Sequence, residues 1–134
     1  MFDKLINKAM ILLLEGDNDV LRELRKQYEN ANISDISNTG VGLFVSFVIP
    51  ENIECINTET IKEDFVLGDV YGTINDVFGS VGFIIFVKNG YLKTLEIYSI
   101  GEEFWEQVTD DIEIGYESNP RNISDLEKTW TKST

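Results

Sequence analysis

The sequence contains no histidine. That excludes Ser-His-Asp and Cys-His nucleophilic catalysis and removes the commonest zinc ligand. Cysteine is nearly as scarce. Cys55 is the single one, so the chain forms no internal disulfide and has no redox pair, which fits a reducing compartment. Nothing near it in sequence would lower its pKa, so it is not expected to be a nucleophile. There are two prolines and no Pro/Gly/Ser-rich linker, and 134 residues are the length of one domain, here 1–134. Cations are short as well: 11 Lys and Arg stand against 24 Asp and Glu, a net charge of −13. Such a surface repels phosphate backbones and anionic lipid, so neither nucleic acid nor membrane is an expected partner.

Phosphate and metal motifs are missing too. "GTINDVFGSVG" has glycines without the GxGxxG spacing or a following Lys-Ser/Thr. "DND" at 17–19 lacks the remaining ligands of a calcium loop and reads as a helix cap. No cofactor and no metal are expected. No apolar run approaches the ~20 residues of a membrane span. The N-terminal "MFDKLINKAMILLLEGDND" has Lys4, Lys8 and a short apolar run. Asp3 interrupts it, however, and acids follow where a signal peptide would be cleaved, so a cytoplasmic protein is expected.

What is present is a core. Hydrophobic residues make up 43% of the chain. Phe2, Leu5, Ile6, Ala9, Leu12 and Leu13 recur at helical spacing, and Gly16 is a natural stop. A second helix follows, capped by Asp17 or Asn18, with Val20, Leu24, Tyr28 and Ala31 as its stripe. The period then changes to two. Leu43, Val45, Phe47 and Ile49 alternate with Phe44, Ser46 and Val48, and Pro50 ends the strand. Residues 51–65 have no clean period and read as a surface connection. In 66–74, Val66, Val70 and Ile74 share a side with Gly68 and Gly72, which leaves room for something bulky across the sheet.

"SVGFIIFVKNGYLKTLEIYS", residues 80–99, is the most informative stretch. Residues 81–87 are apolar without alternation, which predicts a central strand covered on both faces. Asn89-Gly90 supplies a two-residue hairpin turn. In the returning strand, Tyr91, Lys93, Leu95 and Ile97 oppose Leu92, Thr94, Glu96 and Tyr98. "DIEIGYE" at 111–117 reads as a half-buried strand near an edge. "SDLEKTW" reads as a short helix capped by Ser124 and anchored by Trp130. Helices first and strands after predict an α+β fold: two N-terminal helices packed on a mainly antiparallel, twisted meander sheet of about five or six strands. Three covers are open for the second face of 81–87: the 51–65 connection, the C-terminal tail, or a second subunit, which would make a homodimer.

Carboxylates are the abundant reactive groups. Residues 96–117 hold eight acids and no Lys or Arg. Acids on exposed strand phases and in loops make a poor buried acid/base pair, so enzymatic activity is not expected. The same segment contains "EEFWEQ". Aromatics among acids suit a patch for a basic partner. Glu102, Glu103, Phe104, Trp105, Glu106, Asp110 and Asp111 are therefore the candidate partner-binding residues.

Several of these residues also carry a resemblance. Gly68-Asp69-Val70, Gly82-Phe83, Lys88-Asn89-Gly90, Leu95-Glu96 and Glu103/Trp105 follow one another in an order that resembles small acidic bacterial proteins of unassigned function. The glycine those proteins carry after Leu-Glu is Ile97 here. In size and charge the chain also resembles immunity proteins of bacterial toxin systems. That resemblance implies a non-enzymatic protein that binds and neutralises a basic toxin or effector. The alternatives are a small-ligand-binding or regulatory module using the glycine side of 66–74, and a carboxylate-dependent hydrolase.

Overall fold

The apolar spacing of the first thirty residues folds as two helices, α1 (Asp3–Leu13) and α2 (Asp19–Asn30). The structure is a computed structural model that describes residues 2–133; the side chains of Glu102 and Glu103 lie outside the described residues. Gly16 takes a φ of 142° between the helices, and Asn18 caps α2 by accepting from the amides of Val20 and Leu21. Six strands follow: β1 (Asn32–Asn38), β2 (Gly42–Val48), β3 (Phe65–Ile74), β4 (Val77–Lys88), β5 (Tyr91–Ser99) and β6 (Glu113–Tyr116). A single turn, α3 (Glu102–Trp105), precedes β6, and α4 (Ile123–Trp130) closes the fold. This is the expected α+β class with an antiparallel sheet. No helix is long and apolar enough to cross a membrane among the described residues.

The strand order is β1-β2-β5-β4-β3-β6. β3, β4 and β5 form the meander built on the Asn89-Gly90 turn. A sheet that ran as one continuous meander would put β3 beside β2, but β5 takes that place, so β4 lies well inside the sheet. One sheet face carries Val45, Leu67, Val70, Phe83, Ile85 and Leu95, all at most 1% exposed. The buried stripes of α1 and α2, together with Trp105, Leu126 and Trp130, join that face in one core.

Four register shifts interrupt the sheet, and three of them bear on the sequence reading. The register of β3 shifts between Leu67 and Val70, so Gly68-Asp69 occupy two positions where a regular strand has one. Leu67 and Val70 are both buried as a result, while Val66 is 43% exposed. Gly68 and Gly72 therefore do not share a side. A Cβ on Gly68 would meet Ile84, and one on Gly72 would meet Ile112 and Val81, so no groove runs along them. A second shift near Phe86/Val87 brings Leu92 to the same buried face as Leu95 and Ile97. A third separates Ile33 from Asp35 in β1. That strand is exposed along its whole length, which is why it carries no readable alternation.

Two polar devices fasten the core. Gln27 is fully buried on α2. Its amide donates to the Gly90 carbonyl at 3.0 Å and accepts from the Leu92 amide at 2.7 Å, tying α2 to the hairpin turn. Arg121 is the second. Its guanidinium grips the Asp69 carboxylate through Nε and Nη2 at 2.9 Å each, and donates to the carbonyls of Leu13 and Glu15 at the end of α1. The same group lies 4.9 Å over the ring of Tyr116, whose hydroxyl donates to the Leu12 carbonyl at 2.6 Å. α4 is capped by Asn122, not Ser124, because the helix starts two residues earlier than its capping-box pattern suggests. Trp130 is its buried anchor.

Tyr116 gives this clamp a pH signature. Burial pushes its phenol up to about 12 from an ordinary 10, against the opposing pull of Arg121. The folded state thus holds the proton to higher pH than the unfolded chain does. Stability from this group is intact below about pH 10 and falls as pH rises from about 10 to about 12. Thermal melts across that range should show a steeper alkaline loss for the wild type than for Tyr116→Phe. Parallel curves would contradict the clamp.

Candidate functional site

The acidic segment chosen from sequence is largely employed in holding the fold. Trp105 is 6% exposed; its ring lies 5.7 Å from that of Phe2, and its indole N–H donates to Asn38. Phe104 is half-buried against the core. α1 has no capping side chain of its own, since Phe2 stands at its N-cap. Asp110 supplies that function from a distance by accepting from the Leu5 amide at 3.0 Å, where a carboxylate suits the helix dipole. Asp111 pairs with Lys4 at 2.9 Å, which holds its carboxyl below the ordinary range, and Lys8 donates to the Ile112 carbonyl. Glu106 is exposed. Glu102 and Glu103, as side chains, lie outside the described residues.

The second face of the sheet is a different matter. Neither the 51–65 connection nor the C-terminal tail covers it. Ile56 of the connection is bonded to Gly90 beneath α2, and Thr131 of the tail bridges to Ile61 on the side where Trp130 meets Phe65. The expectation that 81–87 is covered on both faces fails within this chain. Val81, Phe83, Ile85 and Val87 are buried, whereas Ile84 and Phe86 are only half-buried.

That open face is apolar and has three cross-strand rows. In the middle row Phe44, Glu96 and Ile84 are register partners on β2, β5 and β4. On one side lie Ser46, Thr94, Phe86 and Val66; on the other lie Gly42, Tyr98, Gly82 and Tyr71. Something bulky does cross the sheet at a glycine, but it is the protein's own Tyr98. A Cβ on Gly82 would sit 2.2 Å from that ring. Burial, together with the neighbouring Tyr71 hydroxyl, raises the Tyr98 pKa. Tyr71 continues the aromatic row to Phe78, with ring centroids 5.9 Å apart. Phe44 is 38% exposed and Phe78 52%. At the hairpin end, Val66, Phe86, Lys88 and Lys93 border a shallow depression.

Other concavities lie on the helix side. A cleft of about 420 Å³ between α1 and α2 is lined by Met10, Leu14, Arg25 and Tyr28, but Arg25 is engaged with the carbonyls of Leu14 and Gly16. No group of three or more Cys, Asp or Glu is placed to share a metal ion among the described residues. Compared with models of known families, with curated proteins and with solved structures, the chain matches none.

Sequence reasoning missed the open face because a continuous apolar run was read as two covered faces. The signal was nevertheless there: Phe44, Ile84 and Phe86 occupy the alternate phase of their strands.

Proposed function

We propose that this chain is a cytoplasmic, non-enzymatic binding protein of the immunity-protein kind, which neutralises a basic toxin or effector by occupying its surface. The observation that carries this reading is the charge of −13 on a single domain that leaves an apolar sheet face open. Charge of one sign draws in a partner of the other, and an uncovered apolar face gives it somewhere to rest. Acids such as Glu106 in the 102–111 segment steer the approach, while Trp105 and Asp110 hold that segment in shape.

The test is capture followed by rescue. Tagged protein is mixed with lysate of its source at low and at high salt, and each retained basic protein is then expressed with and without this chain. One basic protein that releases with salt, and whose toxicity co-expression lifts, is the expected result. Charge reversal at Glu102, Glu103 and Glu106 should slow its association at low salt. Recovery of no basic protein, or of one that is harmless when expressed alone, would overturn the reading.

A further inference from the structure

We propose that the open sheet face, centred on Glu96, is the docking surface, and that its occupant is a protein presenting an arginine or lysine within an apolar contact patch. This rests on the acidic-binder reading above and adds the place of contact and its chemistry. Antiparallel sheets that face water on one side usually alternate apolar with polar residues. Here the water-facing phase carries Phe44, Val66, Ile84, Phe86, Tyr71 and Tyr98, and among the described residues no element lies over it.

Glu96 decides which occupant fits. It sits between Phe44 and Ile84 and is half-buried, and its carboxylate makes no hydrogen bond or ion pair among the described residues. A purely apolar partner would strip water from this carboxylate and leave it unpaired, which is costly. A second copy of the chain is worse. A two-fold axis through the face would bring Glu96 toward its own equivalent and set −13 against −13. A cation resolves both problems, and a guanidinium can also lie flat on an aromatic face such as Phe44 or Tyr98. Aromatic side chains around one charge that docking would desolvate are what dominant contact sites share.

The test uses a phage-displayed random peptide library selected on the immobilised full chain, with the enriched peptides synthesised. Peptides combining Arg or Lys with apolar residues should emerge. Their binding should weaken at least about thirtyfold in Glu96→Lys, as loss of a buried charge pair does. It should fall likewise in Phe44→Asp and hold in Glu29→Lys, the same charge change on the helix side. Circular dichroism melts show whether each variant is folded; Glu96→Gln replaces any that is not. Basic peptides that bind Glu96→Lys as well as wild type would overturn the docking face and leave the acidic-binder reading standing. A selection yielding no basic peptides would overturn both. A wild type that sediments as a dimer, and a Phe44→Asp variant that does not, would assign the face to a second copy instead.

Discussion

Arg121→Met should destabilise the protein by about 3–5 kcal/mol, the cost of breaking a buried ion pair from one side. The pair is well sheltered: the side chains of Arg121 and Asp69 are 7% and 14% exposed. Removing the guanidinium strands the Asp69 carboxylate at the β3 bulge. It also frees the carbonyls of Leu13 and Glu15 at the end of α1. A drop in Tm of roughly 10 °C or more should follow. Asp69→Leu added to Arg121→Met should recover part of the loss, because the stranded charge is then gone. A single variant that melts like wild type would show that the pair is ornamental.

Trp130→Ala should cost a similar amount, about 3–5 kcal/mol, as truncation of a buried large aromatic does. Trp130 is 1% exposed, and its ring lies 5.8 Å from that of Phe65 at the start of β3. Its carbonyl accepts from the Lys62 amide at 2.7 Å, so the anchor also holds the end of the 51–65 connection. Loss of the ring should therefore loosen α4 and residues 60–65 together. Hydrogen exchange should report faster exchange in both segments and little change at the Asn89-Gly90 hairpin. Uniform loosening would mean that Trp130 is not a local anchor, and a loss below about 1 kcal/mol would mean that the cavity collapses freely.

The helices, the hairpin and the α+β class were readable because period and turn chemistry act locally. The Asn89-Gly90 turn has both residues at positive φ, as its sequence demands. The bulges were not readable. Gly68-Asp69 inserts an extra residue, and every side chain before it changes face, so a strict period of two assigned Val66 and Gly68 wrongly. β1 escaped notice because Ile33 and Ile36 sit on a strand that is exposed along its whole length and shows no buried phase.

The candidate site divides in the same way. "EEFWEQ" looked like a surface patch because aromatics among acids do so on paper. Trp105 is instead held by Phe2 and Asn38, contacts distant in sequence. Asp110 caps a helix more than a hundred residues away, and nothing local announces that. By contrast, the apolar run 81–87 correctly marked an interior strand. What it did not show is that, among the described residues, no element of the chain lies over that second face.

The central claim is best tested by backbone amide shifts of the isotope-labelled protein titrated with a selected basic peptide. The account predicts changes at Phe44, Ile84, Phe86, Glu96 and Tyr98, with α1 and α2 unmoved. Changes confined to α3 and residues 106–111, with the open sheet face silent, would contradict it.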